Sequence, residues 1–278
     1  MKQVTDTRRP VTLMLLGSGL RFPAFIGALT AIEEKGIKVE RVVGASAGSI
    51  IGSLYAAGWS PIEMKQTVMG LDTTVFRDFS LRGLIAGKGL YEGRAAEDYI
   101  DGLLEGRRFS DQFRFPPFIV ATDIRNSAPF VFSRAKFPDL KVSRAIRFSI
   151  GIPLVFSYMH FNHSGKTHTF VDGNLLSGSI AEMFPGSRLL ILKVVSNRTL
   201  QHDPERFSFV SYMKNLVLLM MNAVERERVV GKNWQETILI SCGDIHTAKF
   251  ALRAEDKQFL MDQGYDQVRR YLDYKWEV

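Results

Sequence analysis

A single cysteine, Cys242, stands in the 278-residue chain, so no internal disulfide can form and the core must hold without a covalent staple. Such cysteine usage suits a reducing compartment. Because Cys242 ends the apolar run Thr237 to Ser241, it is expected to be a small buried hydrophobe rather than a reactive thiol. Uninterrupted apolar stretches of bilayer length, about 20 residues, are missing. The nearest candidate, Phe207 to Val224, carries Lys214 and runs into Glu225-Arg226-Glu227-Arg228, the pattern of a long soluble helix. The apolar run after Pro10 ends at Leu16 and is too short for a secretory signal, so a cytoplasmic protein is expected. No run of Lys or Arg exceeds two residues, and no basic-aromatic ribonucleoprotein pattern occurs. The net charge of +7 therefore gives no case for nucleic acid. It suits plain solubility or the anionic surface of a membrane. Repeats and low-complexity linkers are absent too, which leaves one domain over residues 1–278 as the expected organisation.

What the chain does contain is a regular alternation of strand and helix patterns. Val11 to Leu16, Phe118 to Ala121 and Leu189 to Val195 are largely apolar runs, like strands buried on both faces, and Val39 to Val43, apolar around Glu40-Arg41, is read as another strand. Phe130 to Phe132, His168 to Val171 and Thr237 to Ser241 add further strands. Helical patterns follow at Phe25 to Ile32, Ala47 to Ala57, Glu92 to Leu104, Ser143 to Ile150, Phe207 to Val230 and Glu255 to Tyr271. Ser60-Pro61-Ile62-Glu63 has the composition of a capping box. The alternation predicts an α/β fold, a three-layer α/β/α sandwich around a mainly parallel sheet.

Three short stretches carry chemistry. Gly44-Ala45-Ser46-Ala47-Gly48 lies between a strand and a helix and reads as a nucleophile elbow, in which small neighbours let the backbone turn sharply and present Ser46 at a helix N-terminus. The alternative is a small-residue turn where strand and helix pack closely. Gly17-Ser18-Gly19-Leu20-Arg21 joins the first strand to the first helix. A dinucleotide fingerprint would require glycine where Phe22 stands, so the loop is read as a set of backbone N–H donors for an oxyanion. Arg21, a cation at a helix start, either tolerates exposure there, holds a carboxylate or a substrate's negative group, or braces the loop. Asp172-Gly173-Asn174 ends a strand on a tight turn, placing an acid where a functional carboxylate or a simple turn cap would sit. Of the five histidines, His202 and His246 follow Asp172 in the order of a conventional triad. A greasy and basic segment, Asp72 to Gly93, either covers a site, touches a bilayer or packs onto the domain.

The glycine loop, the serine elbow and the Asp172-Gly173 block, in this order, resemble the three signature blocks of the patatin-like phospholipases. Gly83 to Tyr91, Ala121-Thr122-Asp123 with Val131-Phe132-Ser133, and Ser143-Arg144-Ala145-Ile146-Arg147 through Ile152-Pro153 are similar to further family segments, so the resemblance spans about Val11 to Val195. It implies a serine–aspartate dyad without a catalytic histidine. Ser46 would be the nucleophile and Asp172 its base. Gly17, Ser18 and Gly19 would supply the oxyanion donors, and Arg21, Gly44, Gly48 and Gly173 would support them. It also implies hydrolysis of phospholipid or lysophospholipid acyl esters with neither metal nor organic cofactor, peripheral contact with anionic membrane, and an activating ligand or partner to which no residue is assigned. A general carboxylesterase or thioesterase, and a regulatory protein with little turnover, are the alternatives. Ser18, Phe22 and Asn174 depart from the family pattern, which has glycine, a small residue and a second glycine there.

Overall fold

Strand β1, Val11–Gly17, lies at the middle of the sheet because both its faces are apolar and both are buried. The computed structural model describes residues 9–80, 83, 89–195, 212–213, 215–216, 219–220, 223, 235–245, 249 and 251–275. Beside β1 run β2 (Val39–Ala45) and β7 (Leu189–Val195). The latter is flanked by β8 (Thr237–Ser241), and β2 is flanked by β3 (Pro117–Asp123), all parallel. Three antiparallel strands complete the sheet. β4 (Ala128–Phe132) pairs with β3, and the hairpin of β5 (Met159–His163) and β6 (Lys166–Val171) joins β3 through β6. Sequence patterning predicts every one of these strands except β5. Its signal is present in the Ser164-Gly165 turn, where both residues have positive φ (49° and 73°), the conformation of a two-residue hairpin loop.

The pairing around β3 decides where the ends of β2 and β6 fall. β4 occupies one edge of β3 along Ile119 to Asp123. On the other edge β2 ends with Ala45 opposite Val120, and β6, running the opposite way, ends with Val171 opposite Thr122. The two strands thus approach each other end to end along a single edge, and the chain leaves the sheet at Ser46 on one side and Asp172 on the other.

Helices α1 (Pro23–Glu34), α2 (Ala47–Ala57), α4 (Arg94–Leu103), α5 (Val142–Ser149) and α6 (Ala254–Lys275) are those expected from periodicity, with ends that differ by a few residues, and α3 (Pro61–Gly70) follows the capping box that marked its start. The main core joins Leu13 and Leu15 of β1 to Phe25 and Leu29 of α1, Ile51 of α2, Ile146 of α5 and Leu260 of α6. Met14 and Leu16 point to the other face, where Ile180, Ala181 and Phe184 cover them. The capping box at the start of α3 forms as predicted. The Glu63 N–H donates to Ser60 Oγ, and the Ser60 N–H donates to the Glu63 carboxylate. α6 crosses α1 at very close range, since a methyl group on Gly27 would lie 1.8 Å from the Met261 carbonyl oxygen and one on Gly264 would lie 1.8 Å from that of Ala24. Cys242 is fully buried, as expected. Most of the expected helix Phe207 to Val230, with His202, His246 and residues 81–82 and 84–88, lies outside the described residues.

Candidate active site

Ser46 is the residue between β2 and α2, with φ 54° and ψ −138°. A side chain is rarely tolerated at such angles unless the surroundings over-determine it. Here they do. The Ser46 carbonyl accepts from the Ser49 hydroxyl at 2.6 Å and from its N–H at 2.9 Å. The Ser46 N–H donates to Ser149 Oγ at 2.8 Å. The flanking glycines are required by space. A methyl group on Gly44 would lie 2.4 Å from the Ser49 Cα, and one on Gly48 would lie 2.1 Å from the Leu15 carbonyl oxygen. The elbow and the close packing are therefore one feature, because the turn exists where α2 lies directly on β1.

The Ser46 hydroxyl donates to Asp172 Oδ2 at 2.6 Å. Both side chains are buried, each about 5% exposed. The second carboxylate oxygen, Oδ1, accepts from the Asn174 N–H at 2.9 Å. Asp172 therefore caps its own turn with one oxygen and meets the Ser46 hydroxyl with the other. Burial pushes its carboxyl up to about 6, although the Ser46 hydroxyl and the Asn174 N–H both favour the charged form. A carboxylate with that affinity is a far better proton acceptor near neutral pH than a free aspartate.

The glycine loop lies beside this pair. Gly17, Ser18 and Gly19 take positive φ in succession (75°, 89° and 54°). The Asn174 side chain packs on Gly17, where a methyl group would stand 2.9 Å from its Nδ2. Asn174 thus occupies the space beside the loop without displacing it. Arg21 is wholly buried, and its Nε donates to the Ser18 carbonyl at 3.1 Å, which agrees with bracing of the loop among the roles open to it.

Two of the described histidines bond partners away from Ser46 and Asp172. His168 Nδ1 bonds Asp123 Oδ2 at 2.8 Å, and His160 Nδ1 bonds Thr169 Oγ1 at 3.0 Å. Among the described residues no group of three or more His, Cys, Asp or Glu side chains converges as a metal ion would require. Of the segment Asp72 to Gly93, the described part divides. Phe76 packs on Tyr99 at 5.6 Å between ring centres and Tyr91 on Phe156 at 5.9 Å, whereas Phe79 is exposed.

Two residues of α5 lie in a block that resembles a family segment, but their roles escape reading from the sequence. Ser149 is one. The other is the buried Arg147, whose Nη2 donates to the carbonyls of Glu92 and of Ser157, the latter at 2.7 Å. It ties two loops to the helix. Neither stands in a local pattern that distinguishes it from any polar residue of an amphipathic helix.

Comparison with known proteins gives likenesses of three kinds, to a family model, to sequence relatives and to solved structures. The family model for patatin-like phospholipase matches residues 13–185. An uncharacterized protein of Bacillus subtilis, YqhO, is 26% identical over 278 aligned residues, spanning 92% of this chain and 96% of its own. A probable lipid hydrolase, 463L of Invertebrate iridescent virus 6, is 22% identical over 178 residues, 59% of each chain. Among solved structures, VipD from Legionella pneumophila superimposes with a TM-score of 0.63 at 14% identity, over 96% of this chain and 67% of that one, a likeness of fold.

Proposed function

Because the chain belongs to the patatin-like phospholipase family, we propose that Ser46 and Asp172 form the catalytic dyad of a phospholipase A or lysophospholipase. In general terms the protein is a patatin-like hydrolase of lipid acyl esters. The finer reading rests on one observation, the buried 2.6 Å hydrogen bond from Ser46 Oγ to Asp172 Oδ2.

The chemistry follows from that contact. As Ser46 Oγ bonds to the acyl carbonyl carbon, its proton passes to Asp172 Oδ2. The carbonyl oxygen becomes an oxyanion beside the N–H donors of the Gly17 to Gly19 loop and the α2 N-terminus. Donors of this kind contribute roughly 2.7–4 kcal/mol each to the barrier. Collapse breaks the ester C–O bond, and the departing glycerol oxygen takes the proton from Asp172. Water then gives a proton to Asp172 as its oxygen attacks the acyl-Ser46 carbonyl carbon, and on collapse the bond from that carbon to Ser46 Oγ breaks, Asp172 returns the proton to Oγ and the fatty acid leaves.

The lipid surface is supported by the net charge of +7 and the exposed Phe79. Among the described residues no helix is long and apolar enough to cross a membrane, so contact with the bilayer is proposed to be peripheral. The experiment is hydrolysis of a panel of phospholipids, lysophospholipids and simple esters by wild type and Ser46→Ala. Released fatty acids would be assigned to their glycerol positions. Phospholipid or lysophospholipid turnover lost in the variant is the expected result. Turnover of simple esters or thioesters alone would make it a general esterase. Failure of the wild type to react with a fluorophosphonate would favour a regulatory scaffold.

A further inference from the structure

The edge of β3 that receives β2 and β6 leaves a seam between Ala45, opposite Val120, and Val171, opposite Thr122. One hydroxyl fills it. Ser149, at the end of α5 and wholly buried, donates to the Val120 carbonyl at 2.6 Å and accepts the Ser46 N–H at 2.8 Å. A serine hydroxyl has one proton to give, so its donor capacity is filled, and the Ser46 N–H takes a lone pair. On its remaining side lies Gly173, where a methyl group would stand 2.9 Å from Ser149 Oγ. The group that grips the nucleophile's backbone is therefore also packed against the residue that follows Asp172.

The contacts of Ser46 divide into local and distant ones. Its carbonyl is held from within α2, by Ser49, three residues on. That bond would form wherever the elbow stood relative to Asp172. The bond to Ser149 spans 103 residues and fixes the elbow against β3 and the aspartate turn. Ser149 Oγ bonds the backbone of Ser46, not its hydroxyl, so any effect on chemistry passes through Ser46.

We propose that Ser149 is a positioning residue, whose two hydrogen bonds hold the strained Ser46 peptide at the distance from Asp172 that proton transfer requires. The proposal rests on the dyad reading. Without the Ser149 bond the Ser46 peptide is free to rotate toward relaxed angles, carrying Oγ away from the carboxylate. A displacement of about 1 Å is enough to cost on the order of a hundredfold in rate.

Ser149→Ala and Ser149→Cys test it with p-nitrophenyl butyrate as substrate and a fluorophosphonate as active-site titrant. The thiol fills the hydroxyl's space but is a weak donor and acceptor, so it carries the decision if the alanine variant does not fold. Wild type must label once per chain and Ser46→Ala not at all. If that fails, the dyad reading falls and the role of Ser149 with it. Given a labelled wild type, the variants are expected to titrate fully, with kcat per labelled site lowered roughly 10- to 100-fold and KM little changed. The acid limb of kcat/KM should also move upward, because the Ser46 hydroxyl no longer favours the charged carboxylate. A purely structural role would reduce the number of labelled sites while each site kept the wild-type kcat and the wild-type pH limb. That outcome would overturn the proposal.

Discussion

Gly173 lies against the carbonyl oxygen of Val120 so closely that a methyl group in place of its hydrogen would stand 1.9 Å away. This contact sets how near the turn after Asp172 comes to β3, and the obstacle is main chain, which cannot swing aside. Gly173→Ala is therefore expected to destabilise the protein by about 1–3 kcal/mol or more, a fall in Tm of several degrees at roughly 2–4 °C per kcal/mol. Ester hydrolysis should fall further than the loss of folded protein explains. Thermal melts and active-site titration on the same sample check both.

The buried carboxyl of Asp172, pushed up to about 6, must be ionised to accept the Ser46 proton. The expected kcat/KM profile is level above neutral pH and falls tenfold per unit at pH values below about 6. Asp172→Asn should abolish turnover across the range. Substitution of His246 should leave the limb where it is, and a limb that vanished with His246 would show a conventional triad instead.

Stability should carry the opposite pH sign. Burial raises the folded-state pKa of Asp172 above its unfolded value, so the native state binds the extra proton between about 4 and 6, and ionisation costs stability as pH rises through that window. The cost is on the order of 3 kcal/mol at pH 7, from a shift of about two pKa units at 1.36 kcal/mol each. Asp172→Asn removes this titration. Its Tm relative to wild type should be most favourable at pH 7 and decline toward pH 4. Parallel melts at the two pH values measure the difference, and a constant difference would contradict the assignment.

The buried Asp123–His168 pair offers a contrast. Burial pushes the Asp123 carboxyl up, but hydrogen bonds from His168, Asn126 and the N–H groups of Thr169 and Arg125 outweigh it and hold the group below its ordinary value. His168→Ala leaves a buried carboxylate short of one donor, at a cost of about 1–3 kcal/mol. The expected outcome is a lower Tm with kcat per titrated site unchanged. A loss of kcat would bring this histidine into the mechanism.

Much of the site is legible in the sequence because its demands are local. Gly44 and Gly48 are dictated by a turn five residues long, the strands before Gly17 and Ser46 end in apolar residues, and Asp172 follows the alternating run His168 to Val171. The role of Arg21 stays open among several because exposure decides it, and exposure is a tertiary property. β5 escapes patterning because it is only five residues long and offers two apolar residues, Met159 and Phe161, neither fully buried, so its alternation is too short to stand out. Ser149 and Arg147 escape it because nothing within several residues of them specifies their partners, which lie in other elements.

The sequence by itself determined every described strand but β5, the helices, the elbow and the glycine loop, since backbone sterics and hydrophobic period act over a few neighbouring residues. It also marked Asp172 as a candidate acid at a strand end. Only the tertiary structure decided that Asp172 rather than a described histidine meets Ser46, 126 residues apart in sequence. That meeting comes from β2 and β6 running head to head along one edge of β3, and strand pairing of this kind depends on backbone hydrogen bonds that any residue except proline can make. No side-chain pattern records it, so only the folded chain brings the two residues together.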